Sequence, residues 1–593
     1  MLKMNMIHTF TDKSKRQSKI IIYSFLIAIV LYGVSVVYGF IHISNFNESI
    51  KNIQILQDMN YNVHNLLSRS RMMSGLIGMA DMAVIATSLP TILMYLVQIE
   101  ETYIPLLAKY SLDPPSTYPI IIYNLDSTNG NVRTEYAHYN GYELVKRIMI
   151  YGRGIYDVPI EEWIERLQNG QNVLFDYRFR TFSENFQYYI NNVIEETMDS
   201  IYQREITSKN VEVYIIYILS GCLIFLSSAI NFLGITPLYN NSKLLYKKTL
   251  RMFKYLLKGS INDIISRFEV SVESITETYD ISVDNKKNKY SNIESENVFS
   301  RNIKKLKGYF INILLIASVL AFTIPIIVKD SEIISNLDYN LVAGERKKSI
   351  LLSSILSYEV LLQDEITYVP GTAETLLYNE MKKLSDVQNQ LYYGKLGLKP
   401  TRDIRNLDSI LIYEDCRKPR EECDTFVDVP EKGVTKNMLR IGLNDILEEY
   451  IEILKAILAN ANLKNWKTED HMYEHVTTSS EYIVKVITSF NDVNFTFELN
   501  SINHIYAALE KFDSIMFDLI FDSIKSTLLY LVIITIVGVI LIIFAAIVGY
   551  KMITTTNKTL TELVNVIFLI PQSTINMVPQ FKRFIETGSF EEQ

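Results

Sequence analysis

Apolar residues along this chain are bunched rather than spread. Four runs, Ile20–Ile43, Val213–Ile235, Tyr309–Val328 and Thr527–Tyr550, contain no Asp, Glu, Lys or Arg, and the stretches between them are polar. At ~1.5 Å per residue, about 20 residues cross a ~30 Å hydrocarbon core as a helix. A single segment satisfies its own backbone there only as a helix. The pattern therefore predicts four membrane spans. The first is too long for a signal-peptide apolar region of about 7–15 residues and lacks a small-residue cleavage site, so it reads as a retained signal anchor.

Between the spans the pattern is helical. No Gly or Pro occurs from Gln171 to Ser220, nor between Gly442 and Gly538. Phe182, Phe186, Tyr189, Ile190, Val193 and Met198 recur at helical spacing. Breaks are expected at Pro90, Asp113-Pro114-Pro115 and Gly394–Pro400. The expected fold class is mainly α: a four-span membrane protein with two duplicated helical-bundle extracellular domains. A mixed α/β outer domain is the alternative, with Tyr118–Leu125 as its strand candidate.

The duplication rests on short matches in the same order. Asn65-Leu66-Leu67, Arg71 and Ser74 are answered by Asn340-Leu341-Val342, Arg346 and Ser349, all 275 positions later. Asn124-Leu125-Asp126-Ser127 is answered by Asn406-Leu407-Asp408-Ser409, and Ser260-Ile261-Asn262 by Thr574-Ile575-Asn576. The growing offset implies an insertion after Ser409.

Charge sets the expected orientation. Residues 1–19 carry a net +4 and residues 237–307 a net +6, whereas 44–210 carry −6 and 329–525 carry −11. Basic residues flanking spans mark the cytoplasmic side. The chain then divides into a cytoplasmic tail 1–19, spans 20–43, 213–235, 309–328 and 527–550, extracellular domains 44–212 and 329–526, a cytoplasmic loop 236–308 and a cytoplasmic tail 551–593. The expected location is the plasma membrane, with both termini cytoplasmic. The 48% hydrophobic and 21% charged composition, with 14 Pro and 22 Gly, excludes collagen-like and low-complexity chains.

An outer compartment permits a Cys416–Cys423 disulfide, and Asn47 and Asn494 begin outer glycosylation sequons. Cys222 falls within the second span. His471-Met472-Tyr473-Glu474-His475 matches the H-x-x-E-H pattern of zinc peptidases. It also fits two histidines on a polar helix face, and the first copy has no counterpart. Tyr246, Leu250, Phe253 and Leu257 share a helix face, with Lys243, Lys247, Arg251, Lys254 and Lys258 on the rest. This basic amphipathic helix suits membrane lipid, as a coupling helix or a simple interfacial anchor. No phosphate-gripping Gly loop and no kinase or cyclase motif is present, so no enzymatic activity, cofactor, metal or nucleic acid is expected.

Arg71 with Ser74, and Arg346 with Ser349, are the candidate ligand-binding residues, because a guanidinium fork suits planar anions. Each Arg equally fits an intrahelical salt bridge. In layout and in this Arg-x-x-Ser pair the chain resembles the outer modules of bacterial chemoreceptors and nitrate-sensing modules. That resemblance implies a small anionic ligand. Phe568-Leu569-Ile570-Pro571-Gln572, Pro579 and Phe584-Ile585-Glu586-Thr587-Gly588 resemble the segment after the spans in protozoan receptor-type nucleotide cyclases. That resemblance implies the membrane half of such a receptor, since a catalytic domain is absent before Gln593. The expected function is a non-enzymatic, multi-pass receptor or sensor passing ligand binding to cytoplasmic helices. Its expected partners are a small anion or an extracellular protein, a cytoplasmic signalling protein and further copies of itself. A structural or adhesion protein and a membrane-anchored zinc hydrolase are the alternatives.

Overall fold

The computed structural model describes the chain apart from residues 1, 80–81, 126–131, 170, 172, 255, 257, 280–297, 364–366, 369–370, 395–398, 413–415, 417, 419, 463–478, 569, 571–574, 577 and 588–593. The fold is mainly helical. Among the described residues, four helices are long and apolar enough to cross a membrane, within Ile22–Met79, Asn191–Phe253, Tyr309–Leu362 and Val493–Ile567. The chain forms two compact units. One holds 1–43, 211–328 and 526–593, and the other holds 44–210 and 329–525.

The first unit contains the apolar parts of four helices, α1 (Leu2–Met79), α7 (Asn191–Ala229), α10 (Val298–Leu362) and α16 (Val493–Ile567). Close packing there depends on small residues, as is usual where helices meet in an apolar medium. A Cβ on Gly39 would lie 2.6 Å from the Phe322 ring, and one on Gly538 would collide with the Tyr32 hydroxyl. Polar contacts join the helices as well. The Ser220 and Thr323 hydroxyls lie 2.8 Å apart, and His42 Nδ1 meets Glu212 at 2.7 Å. Cys222 is free and exposed.

The same unit contains α8 (Thr236–Phe253), reached through a π-helical turn at Ile230–Ile235. Its Met252 joins Leu560, Val564 and Ile567 of α16 and Phe581 and Phe584 of α17 (Pro579–Thr587) in a small apolar cluster. Tyr246 and Phe253 pack against that cluster, so part of the predicted apolar face is used. Leu250 and the basic Lys247, Arg251 and Lys254 are exposed. Leu257 lies outside the described residues.

Among the described residues, the two segments of the second unit share one contiguous apolar cluster. Leu66, Leu67, Phe182 and Val193 of the first segment share one apolar cluster with Leu352, Leu356, Leu454 and Phe512 of the second. The cause is the apolar surface carried by both long helices: α1 and α10 each present more of it than their own segment covers. Of the helical stripe, Phe182, Phe186, Ile190 and Val193 are buried, and Tyr189 and Met198 pack at the edge.

The strand candidate is a strand. β1 (Pro119–Leu125) pairs antiparallel with β2 (Val132–His138), Ile121 opposite Tyr136. The outer edge of β1 is tied to α6 (Tyr177–Asn185). Asn185 Oδ1 accepts from Ile121 N at 2.7 Å, and Asn185 Nδ2 donates to Ile121 O at 2.6 Å. The matched motif does not repeat this structure, because Arg405–Leu407 is a 3-10 turn. Pro90 does not break its helix either; it lies inside α2 (Met82–Gln98). Losing one helical bond there is offset by burial of Ile85, Ile92 and Leu96 around it. Gly394, by contrast, ends α11 (Thr372–Tyr393) in the left-handed region at φ 70°.

Candidate functional site

The second unit holds a cleft of about 400 Å³ built from five helices. α1 contributes Asp58, Asn60 and Tyr61, and α7 contributes Glu195, Met198, Asp199 and Tyr202. α10 adds Gly344, Glu345, Lys347 and Lys348, α11 adds Lys383, and α16 adds Asp513. Ile53, Leu56, Leu341 and Val342 complete an apolar part of the lining. The volume lies in the range of small-molecule pockets.

An ion network forms one wall. Lys348, only 2% exposed, forms an ion pair with Glu345 at 2.9 Å and donates a hydrogen bond to Glu195. Lys383 reaches Glu345 at 2.8 Å and Glu195 at 3.5 Å. Burial alone would raise the Glu345 carboxyl, but the ammonium groups of Lys348 and Lys383 outweigh it and hold it down at about 2. Glu195 is lowered in the same way. Burial opposes charge on Lys383 too, yet the acids around it raise its pKa. On the other wall Lys347 lies 3.3 Å from Asp513 and 4.8 Å from the centre of the Tyr61 ring. Burial raises the Asp513 carboxyl against the pull of Lys347 and Arg346.

The predicted arginines are not in this lining. Arg71 Nε donates to Glu359 Oε1 at 2.6 Å, and Arg71 Nη2 donates to Glu359 Oε2 at 2.9 Å, with both side chains 4% exposed. Arg71 Nη1 donates to Ser74 Oγ at 3.1 Å. The carboxylate expected from a ligand is thus supplied by the second segment of the chain. The void beside the pair, about 10 Å³, has room for one water at most.

Arg346 is fully buried in a different setting. Its Nη1 donates to Gln388 at 3.1 Å, its guanidinium lies 4.4 Å from the Phe512 ring centre, and Nη2 has no hydrogen-bond partner among the described residues. Burial lowers its pKa to about 10 despite nearby Asp513. Ser349 is buried one turn on. The sequence match therefore does not correspond to two equivalent anion pockets.

Cys416 and Cys423 form a disulfide with Cα atoms 6.1 Å apart. Neither sequon sits on a loop. Asn47 lies within α1, and the buried Ser49 donates to Glu205 at 2.6 Å. Asn494 lies in the first turn of α16, where Thr496 Oγ1 donates to Asp492 O at 2.8 Å. The His471–His475 motif lies outside the described residues. Among the described residues no group of three His, Cys, Asp or Glu is placed to hold a metal ion.

The cleft residues escaped the sequence reading because they come from remote parts of the chain. The available signal was Glu345-Arg346-Lys347-Lys348, four charges within the buried stretch of a long helix. Comparison with known protein families, curated proteins and solved structures found no match.

Proposed function

We propose that the chain is a multi-pass plasma-membrane receptor or sensor without enzymatic activity, and that the cleft in the second unit is its ligand site. The four apolar runs support four spans, and the charge asymmetry supports a cytoplasmic side that holds both termini and the basic α8. One observation carries the reading: α1, α7, α10 and α16 all line the cleft, and each also contributes residues to the apolar unit. A ligand that favours one arrangement of these helices would shift the population of states. The cluster joining α8, α16 and α17 is the cytoplasmic element such a shift would reach.

The test is thermal unfolding of the full chain in detergent against a small-molecule library, with Met198→Trp filling the cleft. The reading expects compounds that stabilise wild type and leave Met198→Trp unchanged. If no compound separates the two and the chain self-associates, the adhesion reading replaces it.

A further inference from the structure

The three cleft lysines are already committed. Lys348 and Lys383 serve Glu195 and Glu345, and Lys347 serves Asp513. Against these three cations the lining carries five acids. The two left over are Asp58 and Asp199, whose carboxylates make no hydrogen bond or ion pair among the described residues and are open to solvent in the cleft. A second feature points the same way. Asn60 is 6% exposed, lines the cleft, and its Oδ1 has no hydrogen-bond partner among the described residues. An amide oxygen is an acceptor only, so it calls for a donor. Tyr61 already holds one ammonium group, that of Lys347, over its ring, which shows that its face suits a cation.

Taken with the reading of the cleft as a ligand site, on which this rests, we propose that the ligand is a small organic ammonium ion. Asp58 and Asp199 supply its counter-charge, the Asn60 amide oxygen accepts a hydrogen bond, and Met198 and Leu56 contact its carbon skeleton. About 400 Å³ is far more than a bare metal ion needs. An anionic ligand would meet a surplus of like charge, because each cation is already neutralised. Burial raises the Asp58 carboxyl against the pull of Lys347, with Asp513 and Glu510 adding to the rise, and burial with Glu195 and Glu345 raises Asp199 against Lys348.

The test uses the full chain in detergent with three probes: putrescine, tetramethylammonium and glutarate. The proposal expects saturable stabilisation by putrescine and tetramethylammonium. Asp58→Asn combined with Asp199→Asn should weaken it at least about tenfold, and Met198→Trp or Leu341→Trp should abolish it. Stabilisation by glutarate alone, lost in either Trp variant, overturns the ammonium assignment and keeps the cleft as a ligand site. Amine stabilisation that persists in both Trp variants puts binding elsewhere and overturns both readings. No stabilisation by any probe overturns the ammonium assignment.

Discussion

Glu359→Gln is the substitution that best separates a structural Arg71 from a ligand-holding one. In the folded chain the Arg71 guanidinium and the Glu359 carboxylate make two parallel hydrogen bonds of 2.6 and 2.9 Å, and both side chains are almost fully buried. Glutamine keeps the shape but leaves the guanidinium without its counter-charge. Charge-assisted hydrogen bonds contribute roughly 1.5–3 kcal/mol each. Breaking a buried pair by removing one partner costs about 3–5 kcal/mol. Arg71→Met should cost a similar amount, because it removes the guanidinium from the buried carboxylate. Arg71→Lys should recover less than half, since an ammonium lacks the planar fork. The double variant Arg71→Met with Glu359→Leu should be close to wild type, because paired apolar replacement is often neutral. The assay is urea unfolding followed by Trp163 fluorescence in a Trp466→Phe background. Trp163 is 1% exposed in the same unit and packs on Phe179 at 5.3 Å, so its emission reports that unit. The expected double-mutant coupling is about 3 kcal/mol or more. A loss below about 1 kcal/mol for Glu359→Gln, with no coupling, would refute the structural role of the pair.

Two further outcomes follow from buried groups elsewhere in this unit. Glu498 is fully buried and accepts from the Tyr450 hydroxyl at 2.6 Å, and burial raises its carboxyl to about 8. The folded chain therefore binds this proton more tightly than the unfolded chain. That contribution is fully present below the ordinary value of 4.5 and is lost as pH rises through about 8. Between pH 4.5 and 9 it should cost wild type on the order of 4 kcal/mol, and Glu498→Gln should flatten this slope in pH-dependent urea unfolding. An unchanged slope in the variant would count against it. The Cys416–Cys423 bond closes a short loop and should contribute about 2–3 kcal/mol to local stability. Peptide mapping without reductant should find the two cysteines joined, and two free thiols would contradict the assignment.

Much of the architecture was legible from local pattern. The four apolar runs needed only their length, whereas the stretch that forms β1 stood only as the strand candidate of the alternative α/β reading. The helical stripe from Phe182 to Val193 found the core face of its helix because burial follows the 3.6-residue period. Pairing across the chain was not legible. Arg71 and Glu359 are 288 positions apart, and nothing local to Arg71 distinguishes an internal carboxylate from a ligand's. The cleft draws Asp58, Glu195, Glu345, Lys383 and Asp513 from five different helices, so only the fold brings them together. The shared apolar cluster escaped notice for a related reason. An apolar face states that it will be covered, but not by which segment.

The claim on which the account depends is that the cleft-bearing unit faces outward while α8 faces the cytoplasm. It is tested by thiol labelling of intact cells with a membrane-impermeant maleimide, in a Cys222→Ser background. Leu112 is 99% exposed in the cleft-bearing unit, and Lys247 is exposed on α8. Leu112→Cys should label in intact cells, and Lys247→Cys should label only after the membrane is opened. Labelling of Lys247→Cys in sealed cells, with Leu112→Cys protected, would invert the orientation and contradict the account.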